Sequence, residues 1–299
     1  MMAAMLKRPL LILLIVLMGW AVPARAVVVG SKIDTEGALL GNMILLLLQR
    51  HDIDATGELQ LGPTEIVREA LIAGEIDLYP EYTGNGAFFF HQENDPVWRD
   101  AARGYQRVKT LDARNELVWL EPAPANNTWA IAVRRDLRLG TLEEFARYVE
   151  GGAPVRLAAS AEFVNSPGGL PSFEKTYGFA LRGRQLLTLA GGNTAATIRA
   201  AAENISGVNA AMAYGTDGAL AVLGLIALKD DRGAQIVYRP APVVRAATLR
   251  AHPEIAAILN PVFASLTLKR LQMLNAKISV EGQDSRQVAA AYLRGLAAK

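Results

Sequence analysis

The sequence holds few of the side chains that carry out covalent or metal chemistry. It contains no cysteine and only three histidines, His51, His91 and His252, which lie far apart. The absence of cysteine excludes disulfides, thiol catalysis, cysteine-ligated zinc and iron–sulfur clusters. We interpret the three histidines as incidental, and we predict neither a metal site nor a cofactor.

Common catalytic and nucleotide-binding motifs are also missing. The sequence has no G-x-S-x-G, H-E-x-x-H or G-x-x-x-x-G-K-[ST] motif, and no G-x-G-x-x-G follows a predicted strand. The closely spaced acids Asp77 and Glu81 show nothing that separates a catalytic pair from solvated loop charges. We therefore predict a binding protein and not an enzyme.

Two groups of polar and aromatic side chains follow predicted strands. The β-branched run 27–30 is followed by Ser31 and Lys32, and the predicted strand 75–79 is followed by PEYTGN at 80–85. Ligands of α/β proteins usually bind in loops at the carboxyl ends of strands. Both segments are therefore candidate binding loops.

The elements that position these loops alternate between strand and helix. The pattern predicts helices over 35–50 and 64–73 and strands over 59–61 and 75–79, the last of them ended by Pro80. Such alternation predicts α/β layering with a largely parallel sheet. Residues 266–299 are typical of amphipathic helices that complete the first part of the protein.

Two extended, proline-containing stretches divide the chain, at 116–133 and 236–244. Proline is tolerated at edges and crossings rather than in central strands, so we interpret both stretches as passages between two lobes. We expect two α/β lobes with a ligand cleft between them. The predicted division gives residues 27–121 and 236–299 to lobe 1 and residues 122–235 to lobe 2.

Residues 1–26 are typical of a secretion signal. A basic pair at 7–8 precedes an apolar stretch over 10–20, and Ala-Arg-Ala at 24–26 supplies a cleavage site. The apolar stretch is shorter than the ~18–20 residues that span a bilayer. We expect cleavage after Ala26 and a protein that is free in a periplasm.

The composition predicts a folded protein without a nucleic-acid partner. Hydrophobic residues make up 51% and charged residues 20%, which is a core-forming composition. The chain has 31 basic and 29 acidic residues; the signal segment holds three basic residues and no acid, which leaves 28 against 29. A nucleic-acid binder would show a basic excess. We expect a monomer.

Several segments carry a resemblance to one family. They read GSK at 30–32, DLYPEYTGN at 77–85, NNTWAIAV at 126–133, AYGTDG at 213–218 and VYRPAPVV at 237–244. As an ordered set they resemble the periplasmic substrate-binding proteins of ABC importers for glycine betaine, choline and related osmoprotectants, in particular the OsmF-like branch. The resemblance implies the type II periplasmic binding protein fold, in which two α/β lobes close on the ligand. It also implies a membrane permease and its ATPase subunits as partners.

The resemblance further implies an aromatic cage for a quaternary ammonium compound. Such a cation has no N–H group to donate, and ring faces bind it at about 0.5–2 kcal/mol each. A buried carboxylate would bind it only at a large desolvation cost. By similarity to the family, the cage would be Tyr82, Trp129, Tyr214 and Tyr238, with Asn127 beside it and Lys32 and Asn85 at the ligand's carboxylate end.

One position departs from the family pattern. Betaine binders of the family often read E-F-x-x-R-x-D-G, whereas residues 162–169 read EFVNSPGG and place Ser166 where arginine would be. Arginine forms a bidentate, charge-assisted pair with a carboxylate, which serine cannot replace. Because Ser166 stands in place of that arginine, we expect weaker binding of glycine betaine. The alternative is a ligand that has no carboxylate to pair, such as choline, or a larger quaternary amine.

Two other functions remain as alternatives. The same fold could bind an amino acid or a polyamine, although a polyamine site should hold several carboxylates and these segments are poor in them. An exported hydrolase could use Glu81 and Asp217 if their carboxyl groups lay within roughly 5–10 Å. We interpret Thr216 and Asp217 instead as a helix cap and residues 88–90 as core.

Overall fold

The computed structural model describes residues 25–189 and 194–297. The predicted signal segment therefore lies outside the described residues, apart from its last two positions. Within the described part of the chain, no helix is long and apolar enough to cross a membrane.

The described strands form two five-stranded sheets. The first, sheet A, has the order β2-β1-β3-β10-β4, and the second, sheet B, has the order β7-β6-β8-β5-β9. The strands are β1 Val27–Lys32, β2 Ala55–Gly62, β3 Leu78–Tyr82, β4 Leu117–Trp119, β5 Trp129–Arg134, β6 Leu157–Ser160, β7 Leu186–Leu189, β8 Ala210–Tyr214, β9 Leu225–Ala227 and β10 Pro240–Arg245.

The described helices lie between these strands and after the last of them. They are α1 Thr35–Arg50, α2 Thr64–Ala73, α3 Gly86–Phe89, α4 Ala101–Asp112, α5 Leu142–Glu150, α6 Ala161–Asn165, α7 Leu170–Tyr177, α8 Thr194–Ala202, α9 Gly218–Val222, α10 Ala246–Ala251, α11 Ile255–Ser265, α12 Leu268–Ser279 and α13 Ser285–Ala297. Helix α1 begins where the Asp34 side chain accepts a hydrogen bond from the Gly37 N–H, a favourable N-cap.

Each sheet contains one strand that runs against its neighbours. In sheet A this strand is β10, which pairs antiparallel with β3 and β4; in sheet B it is β5, which pairs antiparallel with β8 and β9. The first crossing (residues 120–128) leads into β5, and the second crossing (residues 228–239) leads into β10. Each crossing therefore leads into the antiparallel strand of the sheet that it enters. Both sheets are mixed, whereas the sequence predicted a largely parallel sheet.

Proline lies inside two strands, contrary to the prediction that Pro80 ends the third strand. Pro80 is in the middle of β3, and its partner across the antiparallel pair with β10 is Pro242. A position where both partners lack an N–H group must be one that needs no ladder hydrogen bond. On the other side of β3, only Leu78 pairs with β1. Position 80 therefore has no partner in β1 that would need a backbone N–H from it.

Hydrophobic clusters cover both faces of both sheets. Alternate strand residues point to opposite faces, as expected for a pleated strand: Ile131 and Val133 of β5 enter one cluster and Ala132 enters another. On sheet A, α1 and α11 to α13 cover one face, while α2 and α4 cover the other. Each sheet is thus the middle layer of an α/β sandwich.

Helix α12 packs on α1 with its apolar side and also contacts α9, the helix between β8 and β9 of sheet B. The approach of α9 to α12 is very close at Gly218. A Cβ atom on that residue would lie 2.2 Å from the Ala276 backbone nitrogen, which is far inside van der Waals contact. Helix α12 therefore connects the two halves of the molecule through a backbone-to-backbone contact.

Candidate functional site

The candidate site lies where strand ends and crossings meet. Strand β1 ends at Lys32, β3 ends at Tyr82 and β8 ends at Tyr214, while β5 begins at Trp129 directly after the first crossing. Tyr238 belongs to the second crossing. The predicted binding residues therefore come from both sheets and from both passages between them.

Glu81, in β3 of sheet A, is a fully buried carboxylate. It forms an ion pair with Lys32, and it accepts hydrogen bonds from the Tyr79 hydroxyl at 2.9 Å and from the Asn85 side chain at 2.7 Å. Its Oε1 atom also accepts the Tyr82 backbone N–H at 2.5 Å. The two residues predicted to meet a ligand carboxylate, Lys32 and Asn85, are thus both bound to Glu81 in this structure.

Tyr82 is buried between two charged groups. The Lys32 ammonium nitrogen lies 4.8 Å from the centroid of its ring, within the range of a cation–π contact. Its hydroxyl group donates to Glu36 Oε1 at 2.8 Å. The Asn127 side chain donates to the same carboxylate oxygen at 3.3 Å, and the Asn127 Oδ1 atom is buried without a hydrogen-bond partner among the described residues.

Trp129 and Tyr214 are neighbours on adjacent strands of sheet B. They are direct partners in the antiparallel pairing of β5 with β8, so both side chains project from the same face of the sheet. The Trp129 ring packs edge-to-face on Phe163, with ring centroids 5.6 Å apart. Tyr214 remains 37% exposed, which leaves part of its ring accessible.

Tyr238 approaches the same region from the second crossing. Its backbone carbonyl accepts the Asn127 N–H at 2.9 Å, and its N–H donates to the Asn126 side chain at 2.7 Å, so the two crossings are joined here. Its ring passes close to Gly84: a Cβ atom there would lie 2.8 Å from Tyr238 Cδ1. Burial raises the pKa of Tyr238, and the nearby Tyr214 and Glu81 raise it further.

The tyrosines of the candidate cage are neutral rings at physiological pH. Burial is the main cause that raises the pKa of Tyr82, Tyr214 and Tyr238 above the usual value for a phenol. A neutral, electron-rich ring is the form that attracts a cation to its face. Neutral rings of this kind attract a cation without any covalent chemistry.

Ser166 lies at the carboxyl end of α6, the short helix whose Phe163 packs against Trp129. Glu162, on the same helix, is near enough for its charge to raise the pKa of Tyr214. Position 166 is thus close in the chain to residues that contact the candidate cage. Ligand contact by Ser166 and by the other seven predicted residues stays a prediction.

The carboxyl group that connects these residues gives no signal in the sequence. Glu36 lies in the first turn of the predicted helix 35–50, yet it is buried and binds Tyr82, Asn127 and Asn275. An acidic residue in the first turn of a helix is common, so its type and position gave no signal. Asn275 is separated from it by 239 residues, and no local pattern could have joined them.

Two minor predictions about this region hold only in part. Asp217 is the N-cap residue of α9, but its carboxylate accepts the Tyr214 N–H at 2.7 Å and makes no capping hydrogen bond to the helix. Phe88 is 50% exposed, and Phe89 lies against the Arg68 guanidinium with 3.8 Å between the guanidinium carbon and the ring centroid. Phe90 is partly buried and packs against the core cluster of sheet A, so the prediction of a core holds for Phe90 and is wrong for Phe88.

No group of three or more potential metal-binding side chains occurs within the part of the chain that the structure describes.

Two α/β sandwiches are joined by two crossings, with aromatic residues where they meet. This architecture is that of a type II periplasmic binding protein. This is a class of two-lobed ligand receptors.

The comparisons with known proteins give the family. Residues 25–295 match the family described as the substrate-binding domain of ABC-type glycine betaine transport systems, and the chain belongs to that family. Its members are the ligand-binding parts of transporters, which work with a membrane permease, and are not enzymes.

Individual relatives cover nearly the whole chain. The glycine betaine-binding protein YehZ of Escherichia coli strain K12 is 58% identical, over 91% of this chain and 90% of the relative. A glycine-betaine-binding protein of Pseudomonas aeruginosa is 32% identical, over 89% of this chain and 86% of its own.

Solved structures agree with the fold. The structure of apo YehZ from Escherichia coli has a TM-score of 0.86 and covers 91% of this chain and 99% of its own. A glycine betaine/carnitine/choline ABC transporter structure, at 21% identity, has a TM-score of 0.79 over 90% of this chain and 98% of its own. The predicted fold class and the predicted family are confirmed.

Proposed function

We propose that this protein is the receptor of an importer for a quaternary ammonium compound of the glycine betaine and choline class. The observation that carries the proposal is the arrangement of Tyr82, Trp129, Tyr214 and Tyr238. These rings come from strands of both sheets and from the second crossing, and Trp129 and Tyr214 are direct partners across β5 and β8. Four cation–π contacts of about 0.5–2 kcal/mol each supply much of the ~8 kcal/mol that micromolar binding requires.

The anionic end of the ligand is expected to be bound weakly. Lys32 and Asn85 already bind Glu81, so a ligand carboxylate would have to compete with a buried carboxylate of the protein for both donors. Ser166 offers a neutral hydroxyl group in place of the arginine of related proteins. Both features favour choline, or a low affinity for glycine betaine, over tight binding of a zwitterion.

The remaining parts of the proposal concern location and assembly. We propose that cleavage after Ala26 releases the protein into the periplasm, and that the permease it serves is driven by ATPase subunits. Lobe 1 consists of residues 27–121 and 236–299, and lobe 2 of residues 122–235. The ligand contacts both lobes only when they are closed, so binding shifts the monomeric protein to its closed form.

Isothermal titration calorimetry on residues 27–299, with glycine betaine and choline, tests the ligand class. We expect micromolar or weaker binding of glycine betaine and binding of choline that is at least as strong. Nanomolar glycine betaine binding would refute the argument from Ser166. The absence of any binding by either compound would refute the proposed ligand class.

The variant Ser166→Arg isolates the anionic end. We expect it to bind glycine betaine about tenfold or more tightly than the wild type, with no gain for choline, because only the zwitterion has a carboxylate to pair. Asn165→Arg is the matched control, since it adds the same charge at an exposed neighbouring position. An equal gain in both variants would point to general electrostatic attraction.

A further inference from the structure

Glu36 is a buried carboxyl group without a countercharge. Its side chain lies in the first turn of α1 and the residue is 4% exposed. None of the ion pairs found across residues 25–189 and 194–297 includes it. A carboxylate in such a place is stabilised only by the hydrogen bonds that it accepts.

The donors to Glu36 come from parts of the chain that are far apart. Its Oε1 atom accepts from the Tyr82 hydroxyl at 2.8 Å and from the Asn127 side chain at 3.3 Å. Its Oε2 atom accepts from the Asn275 side chain at 2.6 Å, and that same amide group donates to the Thr216 carbonyl at 3.0 Å. Glu36 therefore links a cage ring and the first crossing to α12 and to the loop that follows β8.

The charged groups around Glu36 do not neutralise it. Asp34, on the same helix turn, disfavours its ionised form. Lys32 lies across the Tyr82 ring but is paired with Glu81, and Asp217, next to Thr216, is itself a half-buried acid. From α12 the group that faces Glu36 is the neutral amide of Asn275.

Burial is the largest effect on Glu36 and raises its pKa to about 7, although hydrogen bonds from Thr216, Tyr82 and Asn275 act in the opposite direction. At neutral pH the ionised and protonated forms are therefore of similar free energy. The Thr216 hydroxyl can either donate to the carboxylate or accept from the protonated acid, so both forms have partners.

We propose that Glu36 is a positioning residue that holds the Tyr82 side of the cage against the second sheet, and that it releases its proton to the solvent when a quaternary ammonium ion binds. This inference rests on the proposed function. It assigns a role to a residue that does not itself contact the ligand.

The physical reason is the influence of the carboxylate on the ring. A phenol that donates its hydrogen bond to an anion carries more negative charge on its ring than one bonded to a neutral acid, which strengthens its attraction for a cation. A permanent cation in the cage in turn favours the ionised carboxylate nearby. Cation binding and ionisation of Glu36 are therefore coupled, and each favours the other.

Calorimetry with choline at pH 6, 7 and 8.5, in buffers of different ionisation enthalpy, measures the proton released on binding. Choline does not titrate over this range, so the proton must come from the protein. We expect release of close to one proton at pH 6 and none at pH 8.5. We also expect affinity about tenfold weaker at pH 6 than at pH 8.5, because only about a tenth of Glu36 is ionised at the lower pH.

The variant Glu36→Gln should bind choline with the same affinity at all three pH values and without proton release. Glu65→Gln, at the equivalent exposed position in the first turn of α2, is the matched control and should keep the pH profile of the wild type. Circular dichroism checks that each variant is folded at each pH.

Choline binding to the wild type with no proton release at pH 6 would overturn the role of Glu36 alone. A wild-type pH profile in Glu36→Gln would do the same, since the proton would then come from another group. Failure of choline and glycine betaine to bind at any pH would overturn both this role and the proposed function.

Discussion

Trp129 is the candidate cage residue whose surroundings differ most from those of the tyrosines. Its ring is held edge-to-face on Phe163 and side by side with Tyr214, so its orientation is set by sheet B and α6. An aromatic face at this position, rather than a particular hydrogen bond, is therefore the property expected to bind the ligand.

The substitution Trp129→Ala is expected to weaken choline binding about tenfold or more, through the loss of one cation–π contact and of packing on Phe163. Trp129→Tyr should stay within a few fold of the wild type, because it keeps an aromatic face. Calorimetry measures both. Phe88→Ala removes an exposed ring outside the site and should have no effect on affinity; a similar loss in both alanine variants would contradict the assignment.

Glu36 should also give the free energy of unfolding a characteristic pH dependence. Its carboxyl group loses its proton near the ordinary pKa of 4.5 in the unfolded chain and near 7 in the folded protein. Between these values the folded state holds one more proton, so stability falls as the pH rises from about 4.5 to about 7. The part of this fall due to Glu36 is about 3 kcal/mol.

Urea unfolding at pH 5 and pH 8 measures that difference. In Glu36→Gln the loss of stability between the two pH values should be smaller than in the wild type by about 2.5 kcal/mol, because pH 5 already lies above the pKa in the unfolded chain, and Glu65→Gln should behave as the wild type does. Comparison of variants removes the contribution of Asp217, whose pKa is also raised by burial. Equal losses in wild type and Glu36→Gln would show that Glu36 is ionised over the whole range.

At the scale of elements, the second crossing is positioned by direct contact with the loop after β3. A Cβ atom at Gly84 would lie 2.7 Å from Ile236 Cγ2 and 2.8 Å from the Val237 carbonyl oxygen. The carbonyl oxygen is backbone and cannot rotate away. The crossing can therefore stay where it is only if residue 84 has no side chain.

We expect Gly84→Ala to displace the second crossing, and Tyr238 with it, and so to weaken choline binding more than tenfold. Gly140→Ala is a suitable control, because a Cβ atom there would meet only the flexible end of Glu144 at 3.7 Å. Calorimetry gives the affinities, and thermal unfolding shows whether the fold is kept. Unchanged affinity in Gly84→Ala would place Tyr238 outside the ligand's reach.

How much of these elements the sequence predicts depends on the range of the interactions involved. The start of α2 after Pro63 and its end at Gly74 follow from local rules, and the structure agrees with them. The position of Pro80 within β3 does not, because it depends on Pro242 being its partner across the sheet. Local patterns give the elements, and long-range pairing decides where some of them end.

The same distinction applies to the candidate site. Tyr82, Trp129, Tyr214 and Tyr238 could be chosen from ordered motifs in the sequence. The pairing of Glu81 with Lys32 and the burial of Glu36 depend on partners that come close only in the folded chain. Aromatic residues in a binding loop can be recognised by their type, whereas a buried acid cannot be told from a surface acid until the fold is known.

For the molecule as a whole, a ligand that binds only the folded state raises the temperature of unfolding. At a concentration of 100 times the dissociation constant the added stability is about 2.7 kcal/mol, which corresponds to a rise of about 5–10 °C for a chain of this size. A thermal-shift screen of betaines, choline, carnitine, ectoine and amino acids should show this rise for quaternary amines. A larger rise with an amino acid would favour the alternative ligand class.

The contact between Gly218 and Ala276 has a consequence for how such a receptor can be controlled. The atoms that a methyl group at position 218 would meet are backbone atoms of α12, 2.2 to 2.6 Å away, and backbone atoms in a helix cannot yield separately. Gly218→Ala would therefore act as a wedge that forces α9 and α12 apart and loosens the link from Asn275 to Glu36. One added carbon atom at the contact between the two halves would then oppose their closure on a ligand.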